Sequence, residues 1–297
     1  MSSVENAVAV EGVSKCYGTC EALRDVSFAV PYGATVAVLG PNGAGKTTLV
    51  EILEGFRTRD DGYVEVLGRD PGRADRAFRE EIGVVLQSCQ AEPYLKVVEL
   101  LELHRGYYRN PAPAELLLAQ VGLADSGTSR VRQLSGGQLR RLDLALALVG
   151  QPKLVFLDEP TTGFDPQARR DAWTLVKDLQ TSGTTIVLTT HYLEEAETLA
   201  DRVIVIADGR VVADDTPDYL TARRGRRSIS FAPIGGIAPG ELPVPVTVRD
   251  GSWSLETDRP TSVLRELTNW AAARGIELDD LTVAPLRLED VYLELTR

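Results

Sequence analysis

The feature that most constrains this chain is the glycine-rich segment GPNGAGKT at residues 40–47. It follows the apolar run TVAVL and precedes a helical pattern, which is the context in which G-x-x-x-x-G-K-[ST] forms a phosphate-binding loop. The glycines let backbone N–H groups, with a helix N-terminus behind them, point at phosphates. We expect Lys46 to neutralise the β- and γ-phosphates and Thr47 to bind Mg²⁺. The predicted phosphate-binding residues are Gly40, Pro41, Asn42, Gly43, Ala44, Gly45, Lys46, Thr47 and Thr48.

Two carboxylates follow a second apolar run, LVFL, which ends in Asp158 and Glu159. A continuous apolar run is typical of a strand buried on both faces of a parallel sheet, and ligands bind at the carboxyl ends of such strands. We expect Asp158 to hold Mg²⁺, through water, and Glu159 to polarise the water that attacks the γ-phosphate. Many strands end in acidic residues, so the prediction depends on the phosphate loop that precedes them.

Two further polar residues end apolar runs of the same kind. His191 closes TTIVLTTH and Gln87 closes IGVVLQ, so both are predicted to reach the same edge of the sheet. We expect His191 to be catalytic and Gln87 to bind Mg²⁺ or to position water. A histidine with only a structural role at the sheet edge is the alternative.

The segment LSGGQ at residues 134–138 precedes the amphipathic stretch LRRLDLALALVG. It places Ser135, Gly136, Gly137 and Gln138 at a helix N-terminus, which is a second anion-binding site. One domain with two such sites needs a second phosphate to bind, and the simplest source is the ATP of a partner subunit. The pattern therefore favours a homodimer.

With these motifs in order, the sequence resembles the nucleotide-binding subunits of ABC transporters over about residues 8–220. The resemblance implies an α/β, P-loop ABC-type ATPase domain with a helical subdomain, and ATP with Mg²⁺ as cofactors. The matching features are Tyr17 in KCYG, the loop from Gly40 to Thr47, Gln87, Leu134 to Gln138, Asp158 and Glu159 in LVFLDEP, Asp165 in TTGFDP, and His191.

The resemblance also implies a role for each of these positions. Tyr17 is expected to stack on adenine, although a tyrosine after a strand is often only packed. Ser135 and Gly137 are expected to grip the γ-phosphate of the opposing monomer. Asp165 is expected to carry communication between the two sites, and His191 to hold the γ-phosphate and the attacking water.

One residue departs from the family pattern. Phe164 stands where the family usually has leucine before this aspartate. The departure concerns the packing of that turn and leaves the expectation of hydrolysis unchanged.

The pattern along the chain predicts two domains. Short β-rich runs alternate with helical patterns from Val8 to about Leu220, which is typical of a parallel α/β sheet, and a helical subdomain is predicted at about residues 91–150. The predicted ATP-binding domain covers residues 1–222. After the basic run RRGRR, which is a solvated linker or a contact to anionic lipid, residues 228–297 are predicted to form a small α+β accessory or regulatory domain.

Composition and charge disfavour several classes of partner and cellular location. No stretch approaches the roughly 20 apolar residues of a membrane helix, and the N-terminus lacks the pattern of a secretory signal, so we expect a cytoplasmic protein. A formal net charge of −11 disfavours a nucleic-acid partner. The three cysteines lack the spacing of a zinc site.

A narrower resemblance concerns the stretch from LSGGQLRRLDLALALVG to FDPQARR and the ending LRLEDVYLELT. They look like drug-exporter subunits of the daunorubicin-resistance type. This implies separate membrane permease subunits, a peripheral location on the cytoplasmic face of the membrane, and efflux of a hydrophobic drug, antibiotic or lipid. The ending is equally compatible with an amphipathic helix that caps the small domain, and we expect residues 88–101 to contact the permease.

Two alternatives remain at this point. The chain could serve an importer of sugars or amino acids, with the small domain sensing a metabolite. It could also be a soluble ABC ATPase that acts on nucleic acid or the ribosome. The acidic charge disfavours that class, and so do the mere 90 or so residues between Lys46 and Ser135, which leave no room for a long coiled coil.

Overall fold

The computed structural model describes residues 5–85, 92–222, 226–249 and 251–296. These form two compact units, one that ends at Thr216 and one that runs from Pro217 to Leu295. The predicted boundary assigned residues 217–222 to the first domain. In the structure they form a helix that packs against the last helix of the second unit.

The first unit contains nine strands and seven α-helices within its described residues. The strands are β1 (Asn6–Tyr17), β2 (Cys20–Pro31), β3 (Thr35–Leu39), β4 (Asp61–Val66), β5 (Ile82–Val85), β6 (Leu154–Asp158), β7 (Thr185–Thr189), β8 (Arg202–Ala207) and β9 (Arg210–Asp215). The helices are α1 (Lys46–Leu53), α2 (Arg76–Glu81), α3 (Val97–Arg105), α4 (Ala114–Gln120), α5 (Gly136–Leu148), α6 (Pro166–Thr181) and α7 (Leu193–Leu199).

The central sheet has six strands in the order β5-β6-β7-β3-β8-β9. The first five are parallel and only β9 pairs antiparallel. All residues of β3 and β7 are buried, as expected for strands covered on both faces. Because β3, β6 and β7 run in the same direction, the segments that follow them emerge at one edge of the sheet.

The first two strands correct the sequence prediction. A parallel sheet was expected from Val8 onward, but β1, β2 and β4 form a separate antiparallel sheet in the order β2-β1-β4. Only Gly18 and Thr19 connect β1 to β2, and a two-residue connection can join only antiparallel strands. One apolar core joins the two sheets through α1, with Val8, Leu49 and Phe156 fully buried.

The predicted helical subdomain is present. Residues 92–150, all of which are described, contain helices α3, α4 and α5 and no strand beyond an isolated bridge between Lys96 and Arg130. Within the described ranges, no helix of either unit combines the length and the apolar character needed to cross a bilayer.

The second unit is a four-stranded antiparallel sheet covered by a helix. Its elements are α8 (Pro217–Ala222), β10 (Arg227–Phe231), β11 (Thr247–Arg249), β12 (Ser252–Thr257), α9 (Pro260–Ala272), β13 (Thr282–Pro285) and α10 (Leu288–Leu295). The strand order is β11-β12-β10-β13. Alternation along β10 and β12 turns Ile229, Phe231, Trp253 and Leu255 inward, where they pack with Leu267 of α9.

Phe231→Ala should unfold the second unit more readily. Phe231 is 1% exposed and contacts Trp253 edge-to-face at 6.0 Å between ring centroids. Truncation of a buried phenylalanine typically costs about 3–5 kcal/mol of unfolding free energy. Urea denaturation followed by tryptophan fluorescence should show this loss, whereas Val248→Ala, at a residue 56% exposed, should change it by less than about 0.5 kcal/mol. Equal effects would contradict the packing described here.

Candidate functional site: a phosphate loop, paired carboxylates and a histidine at one sheet edge

The phosphate loop lies between β3 and α1, and two of its glycines are required by space. A Cβ on Gly40 would lie 2.3 Å from the carbonyl oxygen of Ile206, and one on Gly45 would lie 2.3 Å from that of Ala22. Gly45 also has φ +103°, a conformation that disfavours other residues. The loop can therefore approach its neighbours only with glycine at both positions.

Lys46 begins α1 and folds back over the loop. Its Nζ donates to the carbonyl oxygens of Gly40 at 2.7 Å and Pro41 at 3.0 Å. Burial lowers the pKa of Lys46, and the negative charges of Glu159 and Asp158 partly offset that effect. The ammonium group thus lies within the electrostatic reach of the carboxylates that end β6.

Thr47 and Thr48 follow Lys46 in the first turn of α1. Thr47 is exposed and Thr48 is half-buried. Thr47 is therefore accessible to solvent beside the loop.

Asp158 is the last residue of β6 and is held by the neighbouring strand. Thr189 of β7 lies opposite Asp158 in the parallel register and donates its hydroxyl to Asp158 Oδ1. Arg140 of α5 donates to the carbonyl oxygens of Asp158 at 2.9 Å and Glu159 at 3.3 Å. The helix that follows LSGGQ is therefore bonded directly to the end of β6, a contact that the sequence analysis missed.

Glu159 occupies an unusual backbone conformation for a residue with a side chain. Its φ is +47°, in the left-handed region, and its N–H donates to the carbonyl oxygen of Thr189 at 3.1 Å. This turn directs the chain away from β6 immediately after Asp158.

The Glu159 carboxylate has two polar neighbours from different segments. Thr162 donates its hydroxyl to Oε2 at 3.1 Å, and His191 Nδ1 lies 3.3 Å from Oε1. The side chains of Glu159 and His191 are 20% and 44% exposed, so solvent reaches both. The structure thus brings together the acid after β6 and the histidine after β7, and Thr162 is a partner that the motif analysis did not single out.

The LSGGQ segment forms a capped helix start at the surface. The Ser135 hydroxyl accepts from the N–H of Gln138 at 3.3 Å, and the Gln138 side-chain oxygen accepts from the N–H of Ser135 at 2.9 Å. Ser135 and Gly136 are exposed and Gly137 is half-buried. This reciprocal cap holds the first turn of α5 with its backbone open to solvent.

Asp165 caps the next helix. Its Oδ1 accepts from the N–H groups of Gln167 and Ala168, both at 2.9 Å, and these bonds lower the pKa of Asp165. The carboxylate therefore fixes the start of α6, which is exposed at the same surface as Ser135.

An open groove of about 860 Å³ joins several of these elements. Ser135 to Gln138 line it together with Glu159, Thr162 and Asp165. None of its lining residues belongs to the phosphate loop. Within one chain, the LSGGQ helix and the phosphate loop therefore do not share this groove.

Tyr17 ends β1 and is 41% exposed. Lys15 Nζ and the Arg57 guanidinium carbon lie 5.6 Å and 5.4 Å from its ring centroid. Neither cation was identified from the sequence. Gln87, the remaining predicted residue, lies outside the described part of the chain.

Comparison with known proteins settles the family. The model of the ABC transporter domain matches residues 23–162, and that of the C-terminal domain of ABC transporter domain-containing proteins matches residues 228–286. A daunorubicin resistance ATP-binding protein of Streptomyces coeruleorubidus is 41% identical over 98% of this chain and 96% of its own length. The chain belongs to the ABC transporter ATP-binding proteins. It is accordingly an ATP-binding and ATP-hydrolysing subunit of an ABC transporter, and the predicted family is confirmed.

Two further relatives of this ABC subunit are informative. A Nod factor export ATP-binding protein of Rhizobium johnstonii is 37% identical over 98% of this chain and 94% of its own length. An ATP-binding cassette solved as a dimer in a post-hydrolysis state with ADP and phosphate is 28% identical, with a TM-score of 0.64 over 70% of this chain and 98% of its own.

A buried carboxyl group lies at the far end of the phosphate-loop helix. Glu54, the C-cap of α1, is 4% exposed. Burial raises its pKa to about 8, with smaller contributions from the charges of Asp158 and Glu51. Folding therefore favours the protonated form of this side chain.

This shift gives the stability of the protein a defined pH dependence. The unfolded chain releases the Glu54 proton near its ordinary pKa of 4.5, whereas the folded chain retains it up to about pH 8, so stability falls as pH rises between these values. Glu54→Gln removes this pH dependence. The difference between its unfolding free energy and that of the parent should therefore grow in favour of the variant across this window, by up to about 5 kcal/mol. Denaturation at several pH values measures this difference in unfolding free energy, and the same substitution at exposed Glu115, Glu115→Gln, is the control. A pH-independent advantage would contradict the assignment.

Proposed function

We propose that this protein powers the export of a hydrophobic drug, antibiotic or lipid, by hydrolysing ATP for separate membrane permease subunits. The observation that carries the hydrolytic part is the meeting of Glu159 and His191 at 3.3 Å, at the sheet edge where Lys46 lies. For export, the support is the near full-length similarity to proteins named for daunorubicin resistance and Nod factor export. These relatives do not favour an importer or a nucleic-acid-directed ATPase.

The phosphate loop and α1 bind the triphosphate of ATP in this proposal. Backbone N–H groups of Gly40 and of residues 42–48, together with the Lys46 ammonium, bind the phosphates, and the ammonium acts strongly because a buried cation interacts more strongly than an exposed one. Tyr17 stacks on adenine, and its exposed ring supports that role. Lys15 and Arg57 then border the base.

The residues beside the loop fit Mg²⁺. The Thr47 hydroxyl and the Asp158 carboxylate are hard oxygen donors, which Mg²⁺ prefers, and Gln87 adds a third oxygen by its position in the sequence. Mg²⁺ supplies charge neutralisation at the β- and γ-phosphates when it is bound. The bond from Thr189 orients Asp158 for this task.

Hydrolysis requires a base and a group that orients the water. Glu159 accepts the proton of the attacking water, while Thr162 and His191 orient the two carboxylate oxygens of Glu159. His191 also holds the γ-phosphate. Both side chains are partly exposed, Glu159 by 20% and His191 by 44%, so water and phosphate can reach them.

Two copies of the chain complete each site. Ser135, Gly136, Gly137 and Gln138 present an exposed helix start, and the groove that they line holds no residue of their own phosphate loop. The simplest arrangement places the γ-phosphate of the opposing copy there. Asp165 lies in the same groove and relays the state of one site to the other. The dimeric relative supports this arrangement.

The location follows from the partnership. An ATPase of a transporter docks on its permease, so we place the protein on the cytoplasmic face of the membrane. Residues 228–297 then serve as an accessory or regulatory domain.

Glu159→Gln should leave ATP binding intact and lower turnover by at least about a hundred-fold, because the amide cannot accept the proton of water. Phosphate release and fluorescent-nucleotide binding measure the two properties. Glu194→Gln makes the same charge change on a nearby exposed residue and should retain parental turnover.

At saturating ATP-Mg, Glu159→Gln should also form a stable dimer by light scattering, which Ser135→Arg should prevent. Full turnover in Glu159→Gln would refute the proposed base.

Export can be measured in cells that express the chain with its permease. Cells loaded with daunorubicin should retain less drug when they express the parent than when they express Glu159→Gln. Equal retention, with both proteins present at equal levels, would exclude daunorubicin as a substrate. Parental uptake of an added sugar or amino acid, lost in Glu159→Gln, would favour an importer instead.

A further inference from the structure

A fully buried glutamate lies one helical turn beyond His191. Glu195 is in the first turn of α7 and is 0% exposed. A carboxyl group in the protein interior is unfavourable unless hydrogen bonds compensate for the lost water. Its partners therefore indicate what it holds in place.

Both of its hydrogen-bond donors come from segments around the proposed catalytic residues. Thr161 donates its hydroxyl to Glu195 Oε1 at 2.8 Å, and Trp173 of α6 donates its indole N–H to the same oxygen at 3.0 Å. Oε2 is buried and has no hydrogen-bond partner within the described residues. All three side chains are at most 9% exposed, so water does not compete for these bonds.

Thr161 and Thr162 are adjacent in one turn, and their hydroxyls donate to two different carboxylates. The Thr161 hydroxyl binds buried Glu195, whereas the Thr162 hydroxyl binds Oε2 of Glu159. Glu159 Oε1 in turn lies beside His191, four residues before Glu195. Hydrogen bonds, the 3.3 Å contact between Glu159 and His191, and chain connections thus close a ring through Glu159, the Thr161–Thr162 turn, Glu195 and His191.

Helix α6 contacts the same segment a second time. The Arg169 guanidinium lies 4.2 Å from the ring centroid of Tyr192, and that ring lies 4.1 Å from the His191 ring, tilted by 39°. Arg169 and Trp173 are one turn apart and therefore lie on the same face of α6. The helix capped by Asp165 thus contacts the His191 segment at two points, one between half-buried residues and one in the interior.

We propose that Glu195 is a positioning residue for ATP hydrolysis: it binds the Thr161–Thr162 turn and α6 to the helix behind His191, so that Glu159 and His191 meet. The inference rests on the proposed roles of those two residues. Glu195 itself does not reach solvent and takes no part in proton transfer. Its contribution is geometric, and a misplacement of about 1 Å at a reacting group can lower a rate about a hundred-fold.

The test compares substitutions that keep or remove single hydrogen bonds in the full-length chain. Thr161→Val and Trp173→Phe each remove one donor with little change of shape, Thr161→Ser restores the hydroxyl, and Glu195→Gln keeps an acceptor oxygen. Glu195→Leu removes both bonds. Thr185→Val is the matched control, because Thr185 is a buried threonine whose hydroxyl accepts from the N–H of Gly33, at the opposite end of β7.

We expect Thr161→Val and Glu195→Leu to lower kcat by about ten-fold to a hundred-fold, with KM for ATP within about two-fold of the parent, because the phosphate loop is unchanged. Thr161→Ser and Glu195→Gln should retain kcat within about three-fold. The double variant Glu195→Leu with Thr161→Val should be no slower than Glu195→Leu, since both remove the same bond. Thr185→Val should keep parental kcat even where it lowers the melting temperature.

Three results would overturn the proposal: a Thr161→Val kcat no lower than that of Thr185→Val, failure of Thr161→Ser to restore kcat, or multiplicative effects in the double variant. Should Glu195→Leu not fold, Thr161→Val and Trp173→Phe decide the question alone. A failure of the proposed function can be told apart from a failure of this inference. Parental turnover in Glu159→Gln would show that Glu159 is not the base, whereas the Glu195 and Thr161 variants would still report whether this network positions another catalytic group.

Discussion

The parallel pairing of β3, β6 and β7 is the constraint on which the rest of this site depends. Residues far apart in the chain reach one sheet edge because these strands run in the same direction, and the register places Asp158 opposite Thr189. The polar residues of the site then need only follow the strand ends. Hydrogen bonds from Thr189 and Arg140 hold those ends at fixed positions, so the geometry is built into the sheet and into the helix that packs beside it.

Charge is unevenly distributed around this edge. Lys46, Asp158 and Glu159 interact across a partly buried space, and the shifted pKa of Lys46 reflects both its burial and its acidic neighbours. The negative charge of Asp158 also contributes to the raised pKa of Glu54, at the far end of α1. The described part of this site thus has a buried ammonium that faces two acids, Asp158 and Glu159.

The sequence predicted the fold class and the family, and it named residues that the structure places at one sheet edge, because those signals are local; their roles remain predictions. The loop from Gly40 to Thr47 and the acids after β6 are contiguous patterns whose context is visible in the chain. Thr162, Arg140 and Glu195 were missed because their importance arises from contacts between elements, which no spacing rule encodes. The antiparallel pairing of β1 and β2 was missed because the alternating pattern of the whole segment favours a parallel sheet, whereas only the two-residue connection at Gly18 and Thr19 requires antiparallel strands.

The left-handed backbone at Glu159 has a consequence for how this sequence can change. A side chain at such a φ costs roughly 1–2 kcal/mol, a strain that glycine would not experience. Replacement by glycine would thus relax the backbone and remove the carboxylate in one step, giving a more stable molecule that lacks the group proposed as the base.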